Sequence, residues 1–190
     1  MTNVTIFGSG NMGTAISGVL EAGGAQLQHI GSDGTGTVSG DVVVLAVPYP
    51  ALKDIVASHG EQLAGKIVVD ITNPLDFSTF DSLVVPDGSS ATAELAKDLP
   101  NSTVLKAFNT TFAATLASKK IGTADTTVLI AGDDESAKTT LASLITAGGL
   151  QAIDAGSLKR AHELEALGFL QLTLAAAEKI GWTGGFATVR

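Results

Sequence analysis

The first fifteen residues constrain the fold of this chain more than any other stretch. An apolar run at residues 4–7 predicts a buried strand, and the pattern G-x-G-x-x-G follows it at once. A helix is then expected over Asn11–Ala22. Strand, glycine-rich turn and helix in this order predict a parallel strand–helix–strand unit whose helix begins at a site suited to phosphate groups.

Each glycine of the pattern has a mechanical role in such a site. Gly8 makes the tight turn, Gly10 lets the backbone approach a pyrophosphate, and Gly13 lets the helix pack against the strand. The candidate pyrophosphate-binding residues are therefore Gly8, Ser9, Gly10, Asn11, Met12 and Gly13. A turn without a ligand is the alternative, since the chain contains 22 glycines.

Short apolar runs alternate with helical patterns along the chain, which predicts a doubly wound, mostly parallel α/β sheet of Rossmann type. The expected strands are residues 3–7, 26–30, 42–47, 67–71, 104–107, 126–130 and 151–154. The expected helices are residues 11–22, 49–58, 91–98, 112–118 and 134–147. Four glycines between Ile30 and Val42 predict a bare loop in place of the second crossover helix. Residues 1–156 are expected to form the dinucleotide-binding domain, and residues 157–190 a helical segment.

The carboxyl-terminal segment has apolar residues at helical spacing over residues 157–180. They include Leu158, Ala161, Leu164, Leu167, Leu170 and Leu174. A helix that is apolar over so much of its circumference needs partners on two sides, which predicts contact with the sheet and with a second subunit of a homodimer. Burial within one chain is the alternative.

Composition argues against several classes of partner. The formal net charge is −8 and the sequence pI is near 4.7, which disfavours nucleic acid and anionic membranes. The absence of cysteine excludes disulfides, thiol nucleophiles and cysteine-bound metals. The apolar run at residues 42–47 is too short to span a bilayer, and no secretory signal precedes residue 4, so a cytoplasmic protein is expected.

The three histidines do not indicate metal or acid–base chemistry. His29 is expected in the core, His59 at a helix carboxyl terminus capped by Gly60, and His162 with Glu165 on a solvated helix face. We therefore predict no metal site and no catalytic side chain.

Three segments follow expected strands at the sheet edge where open α/β sheets bind ligands. Asn73 and Asn109 can each pair with a carboxamide, and Tyr49 and Phe108 offer aromatic walls. The candidate cofactor-binding residues here are Ala46, Val47, Pro48, Tyr49, Asn73, Pro74, Ala107, Phe108 and Asn109. Hydride transfer from a nicotinamide needs positioning and water exclusion, which such a site can supply. Ordinary strand-ending turns are the alternative.

Taken in order, the motifs of this chain resemble a known family. They are residues 8–13, 44–50, 70–76, 106–110, 130–134, 154–158 and 164–167. Together they are similar to the NADP oxidoreductases whose archetype is the deazaflavin-dependent (F-420) NADP reductase. The resemblance implies that residues 8–13 hold the pyrophosphate, that residues 47–49 run along the cofactor, and that Asn73, Pro74, Phe108 and Asn109 lie near the nicotinamide.

One departure from the family concerns the adenosine end of the cofactor. Members typically read Gly-Ser-Arg after the second strand, the arginine holding the 2′-phosphate, whereas this chain reads Gly31-Ser32-Asp33. The carboxylate of Asp33 repels a phosphate and suits a ribose diol, and it lies about 20 residues past Gly13, where an NAD-binding acid is expected. Ser32 can instead donate to a phosphate. On the resemblance NADP is the expected cofactor, with NAD as the alternative.

The expected function is hydride transfer between the nicotinamide and a flavin-like, deazaflavin-like or small electrophilic acceptor. A non-enzymatic redox sensor that binds the dinucleotide is one alternative, since a fold does not by itself imply catalysis. An imine reductase of the pyrroline-carboxylate type is another, because it shares the Gly-x-Gly-Asn-Met-Gly opening. The imine-reductase interpretation requires a long helical dimerisation domain, and residues 106–110 do not suit it.

Overall fold

The computed structural model describes residues 1–31 and 35–189. The predictions made for Ser32 and Asp33 lie outside these ranges. The described strands are β1 (Asn3–Phe7), β2 (Gln26–Ile30), β3 (Val42–Leu45), β4 (Ile67–Asp70), β5 (Thr103–Lys106), β6 (Lys120–Ile121), β7 (Ala124–Asp125), β8 (Thr127–Ala131) and β9 (Gln151–Gly156). The described α-helices are α1 (Asn11–Ala22), α2 (Leu52–Leu63), α3 (Ala91–Asp98), α4 (Ala113–Ser118), α5 (Glu135–Ala147) and α6 (Ala161–Ala176).

Seven strands form one sheet in the order β2-β1-β3-β4-β5-β8-β9. The pairs among β1 to β5 are all parallel, whereas β8 runs antiparallel to β5 and parallel to β9. The predicted mostly parallel Rossmann-like sheet is therefore confirmed. Because β2 and β3 lie on opposite sides of β1, the chain changes direction across the sheet there, and a crevice opens at the carboxyl ends of the strands.

Apolar side chains cover both faces of the sheet. On one face, Ile16 and Leu20 of α1 pack with Leu141 of α5 and Leu116 of α4. On the other face, α2 and α3 pack on the sheet through apolar residues. These include Leu52 and Leu63 of α2, Leu95 of α3 and Leu99, which follows α3. Strands buried on both faces explain the continuous apolar runs in the sequence.

Several predicted boundaries differ from the structure by one to five residues. The third strand ends at Leu45 rather than at residue 47, and the last strand extends to Gly156. The helix expected over residues 49–58 is a 3-10 turn, Tyr49–Ala51, followed by α2, which runs to Leu63. Leu63 is fully buried, and its packing carries the helix through Gly60 despite a helix-propensity cost of about 1 kcal/mol. The prediction that Gly60 caps this helix is therefore wrong.

Helix α6 turns an unexpected face inward. It spans 16 residues instead of the predicted 24, and its buried residues are Ala161, Leu164, Glu165, Gly168, Gln171 and Ala175. Leu170 is 49% exposed, so part of the apolar stripe faces outward. The second subunit that the stripe suggested remains a prediction. Within the described ranges, no helix is both long enough and apolar enough to cross a membrane.

Candidate functional site

The glycine turn joins β1 to α1 through close backbone contacts. Gly8 has a φ of +98°, and a Cβ placed there would lie 2.3 Å from the carbonyl oxygen of Ala46. A Cβ at Gly13 would lie 2.4 Å from the carbonyl oxygen of Gly8. The fold itself therefore requires glycine at both positions.

The middle glycine of the turn is different, because the fold does not require it. Gly10 has a φ of −71°, and a Cβ there would meet no atom within 4 Å. Gly10 is also the amino-terminal cap of α1, which begins without a side-chain cap. The positive end of the helix dipole thus faces open space beside a backbone that a ligand can approach closely.

A cavity of about 580 Å³ lies beside the turn, and we call it the turn cavity. Its lining residues are Phe7, Gly8, Ser9, Gly10, Gly31, Ala46, Val47, Pro48, Ala51, Asp54, Ile55, Ser58 and His59. The structure therefore brings together Ser9, Ala46, Val47 and Pro48 as the sequence predicted.

Tyr49 lies apart from these residues. Its side chain lines a groove of about 310 Å³ between α2 and α3, together with Leu52 and Leu95. Burial raises the pKa of the Tyr49 hydroxyl above its usual range, and the carboxylates of Glu165 and Glu94 raise this pKa further. The hydroxyl therefore stays protonated at neutral pH. The structure does not bring Tyr49 to the glycine turn, since its side chain lines the groove between α2 and α3.

Two asparagines at neighbouring strand ends bond to each other. Asn73 Nδ2 donates to the carbonyl oxygen of Asn109 at 2.9 Å, and Asn109 Nδ2 donates to Asn73 Oδ1 at 2.9 Å. Asn109 Nδ2 also donates to the carbonyl oxygen of Leu164 at 2.8 Å. Because both hydrogens of Asn109 Nδ2 are used, the orientation of its amide is defined. Its Oδ1 is buried without a hydrogen-bond partner, so a ligand that donates a hydrogen bond can satisfy it.

These asparagines line a second cavity, of about 380 Å³, which we call the asparagine cavity. Its lining residues are Asn11, Met12, Ile71, Asn73, Asn109, Thr111, Phe112, Ala113, Ala114, Leu172 and Trp182. Gly10 borders the turn cavity, and the next residue, Asn11, borders the asparagine cavity. Consecutive residues of one turn therefore reach both cavities.

Three predicted site residues have side chains in the interior. Ala107 and Phe108 are 0% exposed, and Pro74 is buried as well. The prediction that Phe108 forms an aromatic wall is wrong, because its ring belongs to the core. Phe112 and Trp182 supply the aromatic side chains of the asparagine cavity instead.

The backbone of Phe108 has a special conformation. Its φ is +64°, in the left-handed region that a bulky residue rarely adopts. The carbonyl oxygen of Phe108 accepts hydrogen bonds from the Thr111 backbone at 3.2 Å and the Thr111 hydroxyl at 2.7 Å. A strained turn held in this way lies directly before Asn109, and strain of this kind often occurs at functional sites.

Helix α6 closes the site from outside the sheet. A Cβ at Gly168 would lie 2.3 Å from Asn73 Oδ1 and 2.9 Å from the carbonyl oxygen of Asn109. Glycine at this position therefore lets the helix contact the asparagine pair directly.

A buried cluster of charges lies beneath the asparagine pair. Lys106 Nζ donates to Asp70 Oδ2 and Glu165 Oε1, both at 2.9 Å, and to the carbonyl oxygen of Thr72. The side chains of Lys106 and Asp70 are 0% exposed, and that of Glu165 is 1% exposed. All three hydrogens of the ammonium group have acceptors, so the lysine ties the ends of β4 and β5 to α6.

The amino terminus of α3 stabilises the second carboxylate of this cluster. Glu165 Oε2 accepts from the Ala91 N–H at 2.8 Å, and Glu165 Oε1 accepts from the Thr92 N–H at 3.3 Å. The Thr92 hydroxyl donates to Asp70 Oδ2 at 2.7 Å. One lysine thus faces two carboxylates, and the positive end of the helix dipole supports the extra negative charge.

This cluster was not predicted from the sequence. The expectation that His162 and Glu165 share a solvated helix face is wrong, since Glu165 is buried and His162 Nδ1 lies 2.9 Å from the carbonyl oxygen of Ser89. A lysine within the apolar strand at residues 103–106 was a signal that a buried carboxylate must be nearby. It did not show which one.

The remaining histidines also differ from expectation. His29 is exposed rather than in the core, 3.4 Å from Ser17 Oγ. His59 lies inside α2 rather than at its end, buried with its ring 5.0 Å from that of Phe7. Among the described residues, no group of three or more histidines and acids is arranged to hold a metal ion.

The sheet order and the glycine turn together define a Rossmann-type dinucleotide-binding protein. The sequence model of the family described as NADP oxidoreductase, coenzyme F420-dependent, matches residues 25–74. The F420-dependent NADP reductase of Methanocaldococcus jannaschii is 33% identical over 173 residues, which cover 87% of this chain and 76% of that protein. The chain therefore belongs to the F420-dependent NADP reductase family, and it is an NADP-dependent oxidoreductase.

Solved structures share this fold over most or all of the chain. One from Arthrobacter sp. FB24 superposes with a TM-score of 0.86, covers 100% of both chains and is 24% identical, so it supports the fold alone. A hypothetical protein, SMa0349, from Sinorhizobium meliloti has a TM-score of 0.69 and 29% identity over 83% of this chain and 86% of its own.

Proposed function

We propose that this chain binds NADP across the glycine turn and transfers a hydride between its nicotinamide and a flavin-like or deazaflavin-like acceptor. The observation that carries the proposal is the pair of cavities bordered by Gly10 and Asn11. A dinucleotide with its pyrophosphate on the turn extends from one cavity to the other. Its adenosine half would occupy the turn cavity and its nicotinamide the asparagine cavity.

Gly10 supports the pyrophosphate assignment. The protein leaves open space where its Cβ would lie, so the fold does not explain the glycine, whereas close approach of a pyrophosphate does. With a net charge of −8, the chain must hold the phosphates with backbone N–H groups and the α1 dipole.

The asparagine pair supports the nicotinamide assignment. Asn109 Oδ1 is a buried acceptor without a partner, and a carboxamide N–H is a donor that fits it. When bound, NADPH supplies a hydride, which carries two electrons, to an electrophilic atom of the acceptor, and the reduced acceptor takes a proton from solvent. The residues around the cavity hold the two rings together and exclude water, which accounts for catalysis without an acid–base side chain.

Binding is tested with a matched pair of variants of α1 and its cap. Gly10→Ala adds a methyl group to the proposed pyrophosphate site, whereas Gly18→Ala adds one to another open position on the same helix. We expect Gly10→Ala to weaken NADPH binding about tenfold or more, equal to about 1.4 kcal/mol, and Gly18→Ala to leave it unchanged. Isothermal titration calorimetry measures the affinity of each variant for NADPH and for NADH. Thermal melts confirm that each variant folds.

Equal NADPH affinity in Gly10→Ala and the unmodified chain would contradict the pyrophosphate site. Turnover is tested separately, by NADPH oxidation with coenzyme F420 and with riboflavin as acceptors. Binding of NADPH without oxidation by these or by a broad panel of other acceptors would favour the redox-sensor alternative. A rise in NADPH affinity relative to NADH in Asp33→Arg would show that Asp33 influences the choice of cofactor, and unchanged selectivity would show that it does not.

We also propose that a second copy of the chain covers the outer face of α6, forming a homodimer in the cytoplasm. The exposed Leu170 in an apolar stripe supports this interface. In this scheme residues 1–156 bind the dinucleotide and residues 157–190 complete the site and contact the partner. Light scattering on Leu170→Glu measures the effect on the oligomeric state.

A further inference from the structure

One wall of the asparagine cavity comes from the segment after α6. We call residues 181–186 the strap. Its Trp182 lines the cavity, with the ring centroid 5.0 Å from that of Phe112 and the two planes tilted by 56°. Trp182 is nevertheless 54% exposed, although it is the largest side chain in the segment.

The strap is held in place by polar contacts to α6. The Phe186 N–H donates to Gln171 Oε1 at 3.0 Å, while Gln171 Nε2 donates to the carbonyl oxygen of Thr110 at 3.2 Å. Gln171 is 2% exposed, so this link is buried. The Gly184 N–H donates to the carbonyl oxygen of Gly181 at 2.8 Å and closes a turn around Trp182. Trp182 is therefore positioned at the cavity by specific contacts rather than left on a loose tail.

The lining of the cavity has two chemical characters. The polar lining includes Asn73 and Asn109, which are paired at the strand ends. The apolar lining includes Phe112 before α4, Leu172 of α6 and Trp182 of the strap. A flat ring system that carries hydrogen-bonding groups matches this mixed lining, because an indole face favours stacking on another aromatic ring.

We infer that Trp182 is the residue that selects the hydride acceptor, by stacking on the face of a planar heteroaromatic ring that enters the asparagine cavity. The inference rests on the proposed function and adds the recognition element for the acceptor. In this arrangement the nicotinamide is bound by the asparagine pair and the acceptor by the strap. Loss of the indole then weakens binding of the acceptor without weakening binding of NADPH.

The test uses the full chain and two substitutions of the same kind on the strap. Trp182→Leu removes the proposed stacking face, and Phe186→Leu changes an aromatic residue of the strap that does not line the cavity. Phe186 contributes its backbone N–H to the strap contact, so its replacement keeps that bond. Trp182→Phe keeps a smaller aromatic face.

We expect Trp182→Leu to raise the KM for coenzyme F420 and for riboflavin about tenfold, with the KM for NADPH changed less than about twofold. Phe186→Leu should match the unmodified chain, and Trp182→Phe should fall between the two. Trp182 is the sole tryptophan, so quenching of its fluorescence by riboflavin in the presence of NADP⁺ reports ring binding directly, without turnover. For the variants that lack tryptophan, calorimetry measures the affinity for riboflavin in the presence of NADP⁺.

Equal acceptor KM values in Trp182→Leu and Phe186→Leu would overturn the inference. So would a loss of NADPH affinity as large as the loss of acceptor affinity, because Trp182 would then contact the cofactor. An unmodified chain that reduces other acceptors but binds no planar ring would overturn it as well. Ring binding that depends on Trp182 without any NADPH oxidation would instead refute the proposed hydride transfer and leave Trp182 as a ring-binding residue.

Discussion

The glycine turn and the buried charge cluster lie at the same edge of the sheet, after β1 and at the ends of β4 and β5, but are built in opposite ways. The turn uses backbone atoms of one short segment, and its key contacts join Gly8, Gly13 and Ala46. The cluster uses charged side chains from distant segments, joining Asp70, Lys106 and Glu165. The turn leaves space for a ligand, whereas the cluster leaves its ammonium group no free hydrogen.

This difference separates binding from positioning. A backbone site holds an anion without a formal charge of its own, which suits a chain of net charge −8. None of the three charged residues lines either cavity, but the cluster fixes the strand ends that carry Asn73 and Asn109 and anchors α6 beside them. Mutations in the two regions should therefore affect different quantities.

The largest expected effect is on stability, from Lys106→Met. Two buried carboxylates would lose their shared cation, so we expect the free energy of unfolding to fall by about 3–5 kcal/mol. Urea denaturation at neutral pH measures this. Lys120→Met is the matched control, because the Lys120–Asp125 pair is exposed at 55% and 54% and should contribute less than about 1 kcal/mol. Similar losses in both variants would show that burial does not matter here.

A smaller effect on stability, together with a loss of activity, is expected from Gly168→Ala. The added methyl group must displace the Asn73 amide, which lies 2.3 Å from its position, and so break the bond between the asparagines. We expect kcat/KM to fall about tenfold to a hundredfold, as for other small displacements at a reacting site. The backbone carbonyl oxygen of Asn109, 2.9 Å away, must shift as well, so the preference of about 1 kcal/mol for alanine in a helix offsets only part of an overpacking cost of about 1–3 kcal/mol.

Steady-state kinetics and thermal melts measure these two quantities on Gly168→Ala. The activity of Gly18→Ala, where the added methyl group meets open space, provides the baseline. Unchanged kcat/KM in Gly168→Ala would show that the asparagine pair does not need its present geometry.

The smallest expected effect comes from an ion pair remote from the cluster, in Asp154→Asn. The hydrogen bond that Lys138 donates to Asp154 holds the pKa of the Asp154 carboxyl below its usual range and raises the pKa of Lys138. Asp154 is about half exposed, so we expect the variant to lose only about 0.5–1 kcal/mol at neutral pH.

The pH dependence of this loss follows from the lowered pKa of Asp154. A depressed carboxyl pKa stabilises the fold above the unfolded value, and the stabilisation disappears as pH falls through the folded value. The difference between Asp154→Asn and the unmodified chain should therefore shrink below about pH 4. Urea denaturation from pH 7 to pH 3 tests this, and a constant difference would contradict it.

The asparagine pair shows where prediction from sequence succeeded and where it stopped. Both asparagines follow strands, and parallel strand ends meet at one edge, so their proximity was predictable. The hydrogen bond from Asn109 to Leu164 and the contact of the pair with Gly168 were not predictable, because the position of α6 depends on packing over the whole sheet. The prediction that Phe108 forms a wall of the site failed for a related reason. Its backbone is left-handed and its ring lies in the core.

The sequence by itself determined the alternating α/β order, the strand positions and the glycine turn, since each depends on contacts between residues close in the chain. The tertiary structure alone decided that Glu165 of α6 meets Lys106 of β5 and that Trp182 returns to Phe112. Periodicity shows how apolar a helix is, but not which neighbour its face meets. That choice is made by packing between distant segments, where a buried charge must find its partner.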